Sequence, residues 1–344
     1  MKPKTRVTLD DIAVKAKCSK AVVSRALRDK YGVKPETRSR IQVIALEMGY
    51  DFKNIYKRGK QSNKNKVDHI CVVITRTDYM NDDFYGKIIY GIENSLSNLH
   101  VEFYLSILEN INQQELVMNL QRIKAKGAII IGLISYRSVA AILSSGMPVV
   151  LVDTLHTGLK VDRLSANNYM GAHEATEYLI ENGHRNLAFI GNASFSSNFS
   201  DRYRGFKESI RRHSDLLIRD FSIIEGQDKS DVLMNLSHVQ QMLLEAPKPL
   251  AVLCANDRIA FQLYELADQV HHAIPDDVSL IGFDDVEKGE WVTPKLTSVH
   301  IPKFELGQEA VRMLMQRIEQ KSSVTQVLQL DTTLTKRASV KNVT

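Results

Sequence analysis

Residues 8–28 read TLDDIAVKAKCSKAVVSRALR, and no other stretch of the 344-residue chain limits its fold as strongly. Leu9, Ile12, Ala13 and Ala16 fall at helical spacing, with Thr8 as a candidate N-cap and Asp11 three residues on. The pattern breaks at Lys17-Cys18. Ser19 can cap a second short helix that turns Val22, Val23, Ala26 and Leu27 inward and leaves Lys20, Ala21, Ser24, Arg25 and Arg28 outward. Two short helices, a tight turn and a basic outer face on the second form a helix-turn-helix of the kind that enters the major groove. A plain helical hairpin with a solvated basic face fits this segment alone equally well.

Charge separates the two readings. Residues 1–66 hold 18 Lys and Arg against 6 Asp and Glu, whereas the remaining 278 hold 27 against 34. A basic head on an acidic body is the electrostatic footprint of phosphate binding. The head continues with a third helix that Pro35 can start and Gly49 can end, with Ile41, Ile44, Ala45, Leu46 and Met48 on its inner side. FKNIYKRGKQSNKNKV (52–67) follows. It is polar and basic, and suits either a disordered linker or a segment that orders on DNA.

From Val67 the chain alternates short apolar runs with amphipathic stretches. HICVVI, VEFYLSI, GAIIIGLI, PVVLV, NLAFIG, FSII, LAVLCA and VSLIGF are strand candidates. Helices are expected near 83–98, 112–125, 136–145, 168–182, 201–213, 229–245 and 257–271. Continuous apolar strands alternating with helices predict parallel sheets covered on both faces. Two such rounds in 278 residues predict two lobes, with a ligand cleft at the carboxyl ends of their strands. The fold class expected is therefore an all-α helix-turn-helix head on a two-lobed α/β core.

Other chemistries find little support. No apolar run approaches the ~20 residues that cross a bilayer. MKPKTRVTLDD has no apolar core of a secretory signal, so a cytoplasmic protein without membrane association is expected. Cys18, Cys71 and Cys254 are widely spaced and read as reduced thiols rather than a disulfide or zinc framework. There is no GxSxG, HExxH, Walker loop or GxGxxG after a strand, and no cofactor, metal site or enzymatic role is expected. His173 in HEATE reads as surface, as does His271-His272.

The head resembles the DNA-binding domain of the lactose-repressor/galactose-repressor (LacI/GalR) family of transcriptional regulators, and the body resembles that family's periplasmic-binding-protein-like core. The motifs that carry this likeness are TLDDIAVKAKCSKAVVSRAL, KPETRSRIQVIALEMGY, SANNYMGAHEATEYLIENGHRNLAFIG, RYRGF, CANDRIAF, IPDDVSLIGFDD, PKLTSVHIP and TKRAS. The resemblance implies a helix-turn-helix domain over 1–50, a hinge over 51–66 and an effector-binding, dimerising core over 67–344. It implies a first lobe of about 67–166 and 298–325, and a second of about 167–297 and 326–339. Lys20 and Ala21 occupy the base-selecting positions, Arg25 matches a guanine-reading arginine, and Arg28 lies on the same face. Thr8, Ser19, Ser24, Thr37 and Tyr50 match hydroxyl positions that hold phosphates or fix register.

Two departures stand out. Lys17 replaces the turn glycine, and Ala21 is too short to hydrogen-bond a base, though it can meet a thymine methyl. In the hinge, Gly59 falls where family members carry a leucine that wedges the minor groove, and Tyr56 where they carry alanine. Ile55 and Tyr56 are the remaining candidates for a wedge.

In the core, Arg202 matches an arginine that grips effector hydroxyls, and Asp153, Asn256 and Asp284 match polar contacts at strand ends. Such a set suits a sugar or sugar derivative. Phe84 with Tyr85, Asp228 and Trp291 are further effector candidates, although Asp153 and Asp284 could equally cap loops and Trp291 could be core. The expected partners are a palindromic double-stranded operator, a small effector and a second copy of the chain, without a leucine-rich tail for a tetramer. A repressor released or engaged by a small ligand is the leading expectation. Control by a partner protein, as in the catabolite-control branch, and a ligand-binding protein or enzyme with a vestigial head are the alternatives.

Overall fold

The computed structural model describes residues 7–27, 35–48, 69–109, 113–154, 156, 158–224, 236–320 and 324–344. The chain divides into two compact units, residues 1–66 and 67–344.

In the first unit, helix α1 (Leu9–Ala16) starts where the sequence placed it. The Thr8 hydroxyl accepts from the Asp11 amide at 3.3 Å, and the Asp11 carboxylate accepts from the Thr8 amide at 2.7 Å, a complete capping box. Those bonds hold the Asp11 carboxyl below its usual range. The helix stops at Lys17, whose φ of 50° and ψ of 46° are left-handed. This conformation costs a residue with a Cβ about 1–2 kcal/mol, which is why a glycine suits the position. Helix α2 (Lys20–Leu27) is capped by Ser19, whose hydroxyl accepts from the Val22 amide, and α3 (Pro35–Glu47) completes the bundle. Ile12, Val23, Ala26, Ile41 and Ala45 are fully buried between the three helices. Arg40 donates to the Ala16 carbonyl at 3.3 Å and so closes the end of α1.

The second unit holds two six-stranded sheets. The first comprises β1 (His69–Thr75), β2 (Glu102–Leu108), β3 (Ala125–Ile131), β4 (Val149–Val152), β5 (Asp162–Ala166) and β11 (Val327–Leu330), in the order β11-β5-β4-β3-β1-β2. All its pairings are parallel. It carries α4 (Arg76–Tyr79), α5 (Lys87–Asn98), α6 (Gln113–Arg122), α7 (Tyr136–Ser144) and α12 (Lys303–Gln320). The second comprises β6 (Asn186–Ile190), β7 (Arg219–Asp220), β8 (Leu250–Cys254), β9 (Val278–Asp284), β10 (Thr297–His300) and β12 (Thr333–Thr335), in the order β12-β10-β9-β8-β6-β7. Around it lie α8 (Asn168–Glu181), α9 (Ser197–Arg212), α10 (Leu236–Glu245) and α11 (Asp257–Gln269). Val72–Ile74, Ile129–Ile131 and Leu250–Cys254 are completely buried, as strands covered on both faces must be. Cys71 and Cys254 are buried thiols, and burial pushes Cys71 up to about 12.

Several expectations need correction. The chain crosses from the first sheet to the second after β5, and β10 pairs with β9 and β11 with β5. The other crossings therefore follow His300 and Leu330, later than the expected 297/298 and 325/326. Backbone pairing and the buried hydroxyls of Thr297 and Ser298 hold β10 in the second lobe: Arg337 N donates to Thr297 at 2.9 Å, and Ser298 donates to Asp257 at 2.6 Å. Strand β12 runs antiparallel to β10, so that sheet is not purely parallel. FSII forms only a single bridge, Ile223 to Ile190, with the paired strand just before it at β7. His173 is buried rather than on the surface, because α8 packs on α9 there. Its ring meets Ser209 through Nδ1 and Arg212 through Nε2, the latter at 3.2 Å.

Helices α5 and α12 approach until their backbones touch. A Cβ on Gly307 would lie 2.1 Å from the Ile88 carbonyl oxygen and 2.7 Å from the Ile92 nitrogen. Neither backbone atom can step aside without shifting a helix, so Gly307→Ala is expected to cost about 1–3 kcal/mol. A urea titration of the full chain followed by circular dichroism measures it. A loss within error of zero would mean that the helices slide apart freely.

Candidate functional site

Both sheets direct the carboxyl ends of their strands toward one cavity of about 630 Å³ in the second unit. The first lobe lines it with Thr75 and Asp78 at the end of β1, Phe84 and Tyr85, Ser135 at the start of α7, and Asp153 and His156 after β4. The second lobe contributes Ser196, Asn198 and Arg202 of α9, Asn256 and Arg258 at the start of α11, and Asp284 at the end of β9. Phe84 and Tyr85 sit in a π-helical turn, Asp82–Gly86, that leads into α5. Their rings meet edge to face at 4.9 Å, and both are buried.

Arg202 is 3% exposed and is held from several sides. Its Nε donates to Asn168 Oδ1 at 2.8 Å and its Nη1 to the Ala255 carbonyl at 2.5 Å, while Nη1 lies 3.3 Å from Asp284 Oδ1. The guanidinium stacks over the Phe283 ring at 3.8 Å. This fixes a planar cation on the cavity wall without rotamer freedom to lose on binding.

Asp153 faces it from the other lobe. Tyr85 Oη donates to its Oδ2 at 3.0 Å, and Asn198 Nδ2 donates to its Oδ1 at 2.7 Å and its carbonyl at 3.2 Å. Burial pushes this carboxyl up to about 7, against the opposing pull of Arg202 and Tyr85. Both aspartates have left-handed backbones, φ 60° at Asp153 and 107° at Asp284. Such conformations cost about 1–3 kcal/mol each and concentrate at binding sites. Asn256 does two jobs, lining the cavity and capping α11 by accepting from the Ile259 amide at 2.9 Å.

Of the effector candidates, Asp153, Arg202, Asn256, Asp284 and Phe84 come together here, and Asp228 lies outside the described residues. Trp291 does not join them. It follows a 3-10 turn (Glu287–Glu290) beyond β9, is 72% exposed and is absent from the cavity wall. Asn198, His156, Arg258, Asp78 and Ser196 line the cavity without having stood out in the sequence. The helix-start pattern at Ser196 was the one signal that could have flagged its neighbourhood. Among the described residues His156 Nε2 is buried without a hydrogen-bond partner.

Behind the cavity lies Asp257, buried beside Asn256, accepting from the Val286 amide at 2.8 Å and from Ser298 at 2.6 Å. Burial, with Asp284 adding, pushes it up to about 8. A carboxyl raised from 3.8 when folded binds its proton more tightly folded than unfolded. Its contribution is fully present below about pH 4 and is lost as pH rises toward 8. Asp257→Asn keeps one of the two acceptor oxygens and removes the ionisation. Its stability relative to the native chain is expected to grow by on the order of 1 kcal/mol per pH unit between pH 5 and 7. Parallel urea curves at pH 5, 6 and 7 give the slope, and a flat difference would sink the assignment.

On the head, Lys20 and Arg25 are exposed on α2, Ser24 and Thr37 are half-buried, and Thr8 and Ser19 are exposed at their helix starts. Ala21 lies within α2 between these groups. Arg28, Tyr50 and the hinge candidates Ile55 and Tyr56 fall outside the described residues. No helix among the described residues is long and apolar enough to cross a membrane.

The model of bacterial regulatory proteins of the lacI family matches residues 8–51, the three-helix head, and that of the periplasmic binding protein-like domain matches 176–340. The chain thus carries a lacI-family head and a periplasmic-binding-protein-like domain. It is 27% identical over 342 residues to the HTH-type transcriptional repressor PurR of Pectobacterium carotovorum, covering 97% of this chain and 96% of that one. With the catabolite control protein A of Priestia megaterium it shares 28% over 339 residues, covering 97% and 99%. Among solved structures, the transcriptional regulator CelR in complex with cellobiose superposes with a TM-score of 0.69 at 24% identity, over 97% of this chain and all of that one. The fold shared with that regulator is a helix-turn-helix head followed by two α/β lobes.

Proposed function

We propose that this lacI-family chain is a sequence-specific DNA-binding transcriptional regulator, a repressor, that acts by binding rather than catalysis. Two copies read a palindromic operator through their α2 helices, and a small ligand in the core cleft controls that binding. The observation that carries the reading is the head: the lacI-family match over 8–51 lies within residues 1–66, which hold 18 Lys and Arg against 6 Asp and Glu, and Lys20 and Arg25 are exposed on one of its helices. One head spans one half-site, so a two-fold dimer on a palindrome gives the contacts that specific binding needs.

For the ligand, a neutral polyhydroxylated molecule of the sugar class fits the cleft. Arg202 and Asp284 already balance each other, and the cleft's amides, hydroxyls and aromatic faces suit hydroxyl groups and an apolar ring face. The ribose operon repressor, a ribose-bound relative and the cellobiose complex of CelR agree with that class. Selection from randomised DNA with the full chain tests the first part. Palindromic sites should emerge, bound with an affinity that falls linearly with salt on logarithmic axes. Recovery of sequences without common half-sites would end the reading. A thermal-shift screen of monosaccharides, disaccharides and nucleosides tests the second, since a ligand at 100 times its Kd adds about 2.7 kcal/mol. Stabilisation by a phosphocarrier protein, with no response to any small molecule, would favour control through a protein partner.

A further inference from the structure

The two cleft aspartates are each gripped from the opposite lobe. Asp153 ends β4 in the first lobe, and the side chain that takes its Oδ1 at 2.7 Å and its carbonyl at 3.2 Å is Asn198, from α9 of the second. Asp284 ends β9 in the second lobe, and its carbonyl accepts from Nζ of Lys303, the first residue of α12, which packs on the first. Lys303 is buried, donates also to the Ile301 carbonyl at 3.4 Å, and lies 5.8 Å from the centre of the Phe84 ring in the cavity wall. Burial pulls its ammonium below the usual range, with Asp284 opposing. An ammonium in such a place stays only where a carbonyl or carboxylate holds it.

We infer that Asn198 and Lys303 are positioning residues that hold the lobes together at these aspartates, Asn198 at the front of the cleft and Lys303 at the chain crossing behind it. The inference rests on the ligand-cleft reading in one respect: a ligand group that takes the place of the Asn198 amide on Asp153 Oδ1 must displace it. Ligand discrimination then includes whether the incoming group replaces the Asn198 amide, and closure is set by the chain's own side chains as well as by what it binds.

The test reads closure directly and uses neither ligand nor DNA, so its outcome is separate from that of the regulator reading. Spin labels at Met118→Cys on α6 and Leu244→Cys on α10, both exposed, report the inter-lobe distance by pulsed electron resonance. The full chain carries Cys18→Ser and is diluted with unlabelled chain. The parent should give one narrow distance. Asn198→Ala and Lys303→Met should each add a longer, broader component, and the pair together more of it. Asn198→Asp supplies the arm that packing alone would not move. Next to Asp153 it makes two carboxyls that share a proton in acid and repel in base. The groups facing them are Tyr85, Asp78, Arg202, Asp284 and His156. That variant should match the parent distance at pH 5 and lengthen by pH 9, while the parent, whose amide donates in either state, changes less. Parent-like distances in Asn198→Ala and Lys303→Met, or no pH-dependent lengthening in Asn198→Asp, overturn the inference. If Lys303→Met does not fold, the two Asn198 variants decide.

Discussion

Arg202→Ala is expected to destabilise the two-lobed unit by about 3–5 kcal/mol, the cost of removing one partner from a buried, hydrogen-bonded charge pair. The substitution leaves Asp284 without its 3.3 Å cation, Asn168 Oδ1 and the Ala255 carbonyl without their donors, and the Phe283 ring without its stacked guanidinium. Arg202→Lys should recover only part of this, because an ammonium cannot reach the amide, the carbonyl and the carboxylate from one plane. Urea unfolding of the three chains gives the differences. A loss under about 1 kcal/mol for alanine would show that the guanidinium is a surface-like group. Ligand response in Arg202→Ala has to be read at a temperature where the variant is folded. There, a midpoint and amplitude equal to those of the parent would remove Arg202 from the ligand site while leaving its structural role.

Arg25→Ala on the recognition helix is the second large effect. Arg25 is exposed on α2, one turn beyond Ala21, where a fork of N–H donors can meet O6 and N7 of a guanine together. Its removal should cost about 1–3 kcal/mol per half-site, and hence twice that for a symmetric operator, and should relax the preference at one base pair. Competition binding with operators varied at each position distinguishes this from a phosphate contact. An equal loss on every sequence, with the preference intact and a shallower salt dependence, would assign Arg25 to the backbone instead.

The head was legible because its signals are local. The Thr8–Asp11 capping box, the break at Lys17 and the inward Ile12, Val23, Ala26, Ile41 and Ala45 depend on neighbours within one or two turns, and each stands where the pattern put it. The apolar runs of β1, β3, β4, β8 and β9 were equally plain, since strands covered on both faces can hardly be anything but continuous Ile, Val and Leu. Less visible were β5, β10, β11 and β12, short strands with Asp162, Arg163, Thr297, Gln329 or Thr333 among their residues. Asp162 is satisfied by a distant partner, Arg317 Nε at 2.7 Å, and no local pattern announces that.

What the sequence determined by itself was most of the helices and the long apolar strands, the division into a basic head and an acidic two-lobed body, and the polar residues at the strand ends, Asp153, Asn256 and Asp284. Each follows from short-range periodicity, from charge or from resemblance in motif. Tertiary structure alone decided which of these residues meet. It carried β10 into the second sheet and β11 into the first, set Trp291 away from the cavity, and brought Asn198 to Asp153 and Lys303 to Asp284. The physical reason is that chain crossings make neighbours of residues dozens of positions apart. Asn198 and Lys303 have value only through hydrogen bonds closed across the cleft, and an asparagine or a lysine read alone in a sequence carries no sign of what it will face.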